Sequence, residues 1–305
     1  MKSVYIDCSP FARSVLTPAM LEAHPDLITY DGDPDPVMLD TLMHDAVGII
    51  NGHTYMDAAF LARYPKLRSI VFLGTGASLY IDVEAAARLG ISVRTVRGYG
   101  DRTIAEHGFA LMLAAARKIG QMDRDLRRGA WETPVGVELA GKRLGVIGTG
   151  GTGCEVIRMA HAFGMEVVAW NRTPCTEDLP CSFVSLDTLL STSDVVSIHL
   201  ALNEATRGFL SRERLSMMKR DAMLVNVGRG ALIDESALVD LLKQGRIAHA
   251  ALDVFEQEPL AADHPLTRLD NVTLTSHGAF KTREAMTRLV SGGLALLREE
   301  LDQSR

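Results

Sequence analysis

Short apolar runs alternate with amphipathic segments along nearly the whole chain. In the first third, SVYID (3–7), LITYD (27–31), AVGIING (46–52), LRSIVFLG (67–74) and ISVRTV (91–96) have strand length and strand composition. Between them, TPAMLEAH (17–24), PVMLDTLMHD (36–45), DAAFLARYP (57–65) and DVEAAARLG (82–90) repeat their apolar positions with helical spacing. A longer helix is predicted over 102–128, with Ile104, Phe109, Leu111, Met112, Ala115 and Ile119 on one broad apolar face. GAWETP (129–134) then breaks the pattern. A second alternating series follows. RLGVIG (143–148), MEVVAW (165–170), SDVVSIHL (193–200), AMLVNVG (222–228), IAHAALDV (247–254) and NVTLTS (271–276) read as strands. CEVIRMAHAF (154–163) and ESALVDLLKQG (235–245) read as helices, and a last helix spans about 282–301. This β-α alternation predicts two doubly wound parallel-sheet domains of the α/β class.

The bulk numbers agree with that picture. A chain of 305 residues has room for two domains. Hydrophobic residues make up 47% and charged residues 23%, enough apolar material for a core in each domain. The net charge of −6, with both signs interspersed and no basic run, argues against a nucleic-acid partner. No apolar run reaches membrane-spanning length, and the start MKSVYIDCSP carries no signal-peptide pattern. The four cysteines, Cys8, Cys154, Cys175 and Cys181, have no C-x-x-C spacing. They point to reduced thiols in a cytoplasmic protein rather than to a disulfide frame, and no metal site is expected.

Candidate chemistry begins in RLGVIGTGGTGCEVIRMA (143–160). Gly148, Gly150 and Gly153 fit G-x-G-x-x-G, with Gly151 inside the motif. A predicted strand precedes it, a helix follows, and a second strand ends some twenty residues on, as a dinucleotide-binding βαβ unit requires. The second strand ends in Asn171, Arg172 and Thr173 rather than in a carboxylate. An arginine pairs with a 2′-phosphate that a carboxylate would repel, so NADP is preferred here over NAD. Further on, Arg229 follows one predicted strand, Asp253, Glu256 and Glu258 follow another, and His277 follows the last. Ligands of open α/β sheets bind beyond such strand ends. An arginine fork suits a carboxylate and a His–Glu pair can deliver a proton. With a nicotinamide, that set is what the reduction of a 2-oxo acid needs.

In order and spacing, GTGASLYID, IAEHGFALMLAAAR, ELAGKRLGVIGTGGTG, DVVSIHLAL, NVGRGALIDE, ALDVFEQEP and TSHGAF make the chain resemble the NAD(P)-dependent D-2-hydroxyacid dehydrogenase family, glyoxylate and hydroxypyruvate reductases in particular. The resemblance implies a flavodoxin-like substrate domain from 1–99 plus 282–305 and a Rossmann cofactor domain from 100–281, with the active site between them. It implies that Arg229 binds and polarises the substrate, that His277 is the acid/base with Glu258 as its partner, and that Asp253 contacts the nicotinamide. It implies that the loop Gly74–Thr75–Gly76 offers backbone N–H groups to the substrate carboxylate, and that the protein is a homodimer. The sequence departs from the family at Ser78, Thr95, Arg97 and Ala201. Phosphoglycerate dehydrogenases carry arginines where this chain has Asn51 and His53, so the expected substrate is a small unphosphorylated 2-oxo acid, with Asn51 and His53 near it. Other readings of the same frame are an NAD(H)-sensing scaffold or co-repressor and phosphite-type hydride oxidation. Formate oxidation is disfavoured, because formate dehydrogenases have glutamine where Glu258 stands.

Overall fold

In a computed structural model, which describes residues 1–173, 175 and 177–303, the chain divides into two compact units. One comprises Met1–Gly100 and the chain from Lys281 onward; the other is Asp101–Phe280.

The first unit holds β1 (Ser3–Cys8), α1 (Pro10–Val15), α2 (Pro18–Glu22), β2 (Leu27–Asp31), α3 (Pro36–Met43), β3 (Gly48–Asn51), α4 (Ala58–Ala62), β4 (Ser69–Phe72), α5 (Val83–Arg88) and β5 (Ser92–Thr95). The strands pair in parallel in the order β2-β1-β3-β4-β5, a flavodoxin-like arrangement. Helix starts are set locally. Ser9, Thr17 and Asp35 each cap a helix whose first residue is proline, and the Asp35 carboxylate accepts the N–H groups of Val37 and Met38. Val4, Ile6, Ile49 and Ile70 form the centre of the core. The sequence pattern alone left open which sheet the last helix covers. Helix α12 (Arg283–Gln303) packs on β3, β4 and α1, burying Leu289, Val290, Leu294 and Leu297.

The second unit opens with α6 (Asp101–Ala116) and α7 (Ile119–Arg127). The single helix expected over 102–128 is therefore two. Lys118 adopts a left-handed conformation (φ 52°), and the α6 end tightens when its N–H reaches Ala115 O at 3.2 Å. Ile119, predicted to extend the apolar face, is 52% exposed as a result. Then follow β6 (Arg143–Ile147), α8 (Gly151–Ala162), β7 (Glu166–Trp170), β8 (Ser182–Phe183), α9 (Leu186–Thr192), β9 (Val195–Ile198), α10 (Arg212–Met217), β10 (Met223–Asn226), α11 (Glu235–Lys243), β11 (His249–Leu252) and β12 (Val272–Leu274). All neighbours in the order β12-β11-β10-β9-β6-β7-β8 are parallel. This is the doubly wound dinucleotide-binding order with a seventh strand beyond β11. Strand order reverses between β6 and β9, which places the glycine loop after β6 at the switch point. Apolar clusters cover both faces of the sheet. No helix among the described residues is long and apolar enough to cross a membrane.

Candidate active site

The glycine loop has the geometry that a bound pyrophosphate needs. Gly148 sits at φ +98°, and a Cβ there would come within 2.7 Å of the His199 carbonyl oxygen. Its N–H donates to Trp170 O at 2.8 Å, tying the turn to β7. A Cβ on Gly153 would lie 2.0 Å from Gly148 O, so only glycine lets α8 close onto the loop. Nothing lies within 4 Å of a Cβ on Gly150, which leaves its backbone open to approach. Among the described residues, the N–H groups of Gly150, Gly151, Thr152 and Gly153 have no partner, and the buried Thr149 Oγ1 is also unpaired. An unfilled set of donors at the start of a twelve-residue helix fits an anion. Gly151, expected only as part of this cradle, has a second reason to be glycine: a Cβ would lie 1.9 Å from Asp101 Oδ2.

Asn171, Arg172 and Thr173, which the sequence offers for telling NADP from NAD, follow the end of β7. The Asn171 amide donates to Thr173 O at 2.8 Å, and its Oδ1 faces the Thr149 N–H at 3.5 Å. Asn171, Arg172 and Thr173 line a groove closed on the other side by Leu200, Ala201 and Thr206. Arg172 is exposed and has no hydrogen bond or ion pair among the described residues.

The ends of β10, β11 and β12 carry the proposed chemistry. After β10, Asn226 shapes the turn, accepting from Gly228 N and donating to Arg229 O, both at 3.0 Å. Arg229 then projects from extended backbone, and its Nη1 donates to Gly228 O at 2.7 Å. After β11, Glu258 accepts the Phe255 N–H on Oε1 at 3.0 Å, and its Oε2 lies 2.5 Å from His277 Nδ1. His277 stands at φ +49°, unusual for a residue with a side chain. Its Nε2 has no partner among the described residues. Arg229 makes no hydrogen bond or ion pair with Glu258 or His277 among those residues.

Asp253, which sequence resemblance placed against the nicotinamide, is fully buried and spends its carboxylate on the His277 loop. Oδ1 accepts from Thr275 Oγ1 at 2.6 Å and from Gly278 N at 2.9 Å; Oδ2 accepts from Ala279 N at 2.9 Å. The Asp253 carbonyl accepts the His277 N–H at 2.8 Å. His107 Nε2 lies 3.0 Å from Thr275 Oγ1 and 3.3 Å from Asp253 Oδ1. Burial pushes the Asp253 pKa up, but the bonds from His107, Thr275, Gly278 and Ala279 outweigh it and hold the group at about 2. Asp253 thus fixes the backbone that presents His277.

In the first unit, Asn51 and His53, expected near the substrate, have partners within the protein. Asn51 is fully buried, donating to Thr54 O at 2.9 Å and accepting from Thr54 N at 2.8 Å. His53 Nε2 pairs with Asp33 Oδ1 at 2.6 Å. The loop after β3 is organised by buried Asp7, which accepts Gly52 N, His53 N and Thr54 N at 2.7–2.9 Å, plus the Thr54 hydroxyl at 2.8 Å. After β4, Gly74 takes φ +155° and spends its N–H on Phe72 O. The N–H groups of Thr75 and Gly76 have no partner among the described residues. Of the three residues from which carboxylate donors are expected, Thr75 and Gly76 keep their N–H groups open among the described residues, and Gly74 does not.

A dinucleotide cradle at the switch point, with an Arg and a His–Glu pair at neighbouring strand ends, defines a nicotinamide-dependent oxidoreductase of the CH–OH group. Comparison with known proteins gives the family. The pattern described as "D-isomer specific 2-hydroxyacid dehydrogenase, NAD binding domain" matches residues 109–279. The chain is 42% identical over 246 residues to a glyoxylate reductase of Aeropyrum pernix, covering 77% of this chain and 73% of that one. It is 39% identical over 245 residues to a hydroxypyruvate reductase of Thermotoga maritima, covering 79% and 80%. Among solved structures, an acyclic imino acid reductase in complex with NADPH and D-Arg is 30% identical, with a TM-score of 0.88 over 99% of this chain and 98% of that one. The chain belongs to the D-isomer specific 2-hydroxyacid dehydrogenase family. It is an NAD(P)-dependent 2-hydroxyacid dehydrogenase.

Sequence reasoning missed Asp7, Asp101, His107, Thr152 and Thr275. His107 stands inside the IAEHGFALMLAAAR segment, and Thr275 two residues before His277, so proximity to a motif was the available signal. Nothing in the sequence marks Asp7 or Asp101, whose partners lie about fifty residues away.

Proposed function

We propose that the protein reduces a small unphosphorylated 2-oxo acid, such as glyoxylate or hydroxypyruvate, to the D-2-hydroxy acid, with NADPH preferred over NADH. One observation carries the chemistry: Glu258 binds His277 at Nδ1 and leaves Nε2 without a partner. With the Nδ1–H held by the carboxylate, a protonated His277 presents its Nε2–H as the acid. The nicotinamide, when bound, supplies hydride to C2. His277 gives its Nε2 proton to the carbonyl oxygen and keeps its Nδ1–H on Glu258. Arg229 offers two N–H groups of one planar fork, suited to a carboxylate and the adjacent carbonyl oxygen. In the first unit, the free N–H groups of Thr75 and Gly76 suit a carboxylate. The loop at 50–54 contains no arginine for a phosphate, and the relatives named glyoxylate and hydroxypyruvate reductase support the same substrate size. The direct test follows absorbance loss of NADPH and NADH with a panel of 2-oxo acids; turnover confined to phosphorylated acids would reject the substrate class.

The cofactor preference rests on Arg172, a cation beside the groove with no hydrogen bond or ion pair among the described residues, and on Asn171 in place of a carboxylate. The NADPH bound to the similar imino acid reductase supports it. Arg172→Ala weakens NADPH roughly ten- to a hundredfold, the worth of one charge-assisted hydrogen bond, and leaves NADH nearly unchanged. Equal loss for both cofactors would remove the 2′-phosphate from the account. We further infer a homodimer in the cytoplasm. Trp131 and Val135 are 84% and 87% exposed in the segment between α7 and β6, an apolar surface suited to a second copy, and all four cysteines are free. Light scattering of the purified protein reads the assembly directly, and a monomer mass would reject it.

A further inference from the structure

Asp101, the first residue of α6, lies against the first turn of α8. Its Oδ2 would sit 1.9 Å from a Cβ on Gly151, and its Oδ1 accepts the Thr152 hydroxyl at 3.2 Å. The carboxylate thus takes the space where a side chain at the fourth position of the glycine loop would begin. No cation pairs with it among the described residues. The next residue, Arg102, is committed to Glu106 at 2.9 Å and Glu155 at 3.0 Å. Nor does Asp101 take up the helix N–H groups, since those of Gly151, Thr152 and Gly153 have no partner among the described residues. A carboxylate with no cation beside it among the described residues therefore stands next to donors suited to a second anion.

We propose that Asp101 sets the affinity for the dinucleotide by opposing its pyrophosphate, while serving as the counter-charge of the α8 N-terminus when no cofactor is bound. The proposal rests on the dinucleotide reading of the glycine loop. A carboxylate stabilises a helix N-terminus, so its loss weakens the cofactor-free protein. The same carboxylate repels an incoming phosphate. For unit charges about 6 Å apart at an effective dielectric of about 40–80, Coulomb's law corresponds to roughly three- to tenfold in Kd. The two effects have opposite signs, a signature that a purely structural residue does not give. It also accounts for glycine at position 151, because any side chain there would displace the carboxylate.

The test is Asp101→Asn, which keeps the shape and an acceptor for the Thr152 hydroxyl but removes the charge; Asp101→Ser repeats it with a smaller group. Kd values for NADPH and NADH are measured by nicotinamide fluorescence at low and high salt, and the melting temperature is measured without cofactor. The expected result is roughly three- to tenfold tighter binding of both cofactors, with a smaller gain at high salt. It is accompanied by a lower melting temperature of the cofactor-free protein. Unchanged or weaker binding of both cofactors in the two variants would overturn the proposal; weaker binding would make Asp101 a hydrogen-bond acceptor for the dinucleotide instead. Failure of the wild-type protein to bind either cofactor would overturn the dinucleotide reading beneath it.

Discussion

Replacing Asp253 by asparagine tests the role that the structure gives this carboxylate. The side chain is fully buried and receives Thr275 Oγ1 and Gly278 N on one oxygen and Ala279 N on the other. Asparagine keeps the size but turns one oxygen into an NH2 group. Whichever way the amide lies, a donor then faces a donor: Ala279 N–H in one orientation, Gly278 N–H in the other. An unsatisfied buried group costs about 1–3 kcal/mol. The depressed pKa expresses the same bonds in another form. Displacement from 3.8 to about 2 corresponds to roughly 2–3 kcal/mol of folding free energy. Because the folded value is depressed, that stability is complete above pH 3.8 and is lost as pH falls through about 2. We expect Asp253→Asn to lower the urea-unfolding free energy of the second unit by about 2 kcal/mol at pH 7. The variant should also lack the wild-type loss between pH 3.8 and 2. kcat falls at least about tenfold, because the loop presenting His277 loses its anchor. A change below about 0.5 kcal/mol with kcat intact would refute this role.

Other outcomes follow from the same geometry. Gly153→Ala drives a methyl group into Gly148 O, so it costs roughly 1–3 kcal/mol of stability and weakens both cofactors together, read by melting and by fluorescence titration. Arg229→Lys keeps the charge but not the fork, so KM for the 2-oxo acid rises and kcat falls together; a loss confined to cofactor affinity would move Arg229 out of the substrate site. His249, buried and bonded to Thr273 Oγ1 at 2.9 Å, has its pKa lowered from 6.5 to about 4 by burial, with Lys118 and Arg124 adding to it. Its stabilisation, up to roughly 3 kcal/mol, is present above pH 6.5 and lost as pH falls toward 4. His249→Gln flattens unfolding free energy against pH in that window; an unchanged slope would contradict the assignment.

Much of the molecule was legible because it is written in consecutive residues. The strand–glycine–helix run at 143–160 encodes its own turn, and Arg229, Glu258 and His277 each follow a recognisable apolar strand. What escaped depends on distant partners. The break at Lys118 interrupts a stretch whose helical pattern continues through it. Strand β8 is two residues long, and α9 and α10 are only seven and six, too short for periodicity to declare them. Asn51 and His53 are expected near the substrate because phosphoglycerate dehydrogenases carry arginines at those places. What no local pattern shows is that Asp7, more than forty residues earlier, ties down that loop through Gly52, His53 and Thr54, while Asn51 bonds to Thr54 within it. Asp253 is implied by the resemblance as a cofactor contact, and its bonds from Thr275, Gly278 and Ala279, more than twenty residues later, are a second role that no local pattern shows.

The proposed function stands or falls on His277 as the proton donor in the reduction of a 2-oxo acid. The measurement that reaches it most directly is kcat of wild type and His277→Ala with the best 2-oxo acid, alongside the Kd of each variant for NADPH. Loss of a positioned acid is worth about 10²–10⁴-fold in rate. The account predicts a kcat loss of that size with the Kd unchanged. A variant that retains wild-type kcat would contradict it.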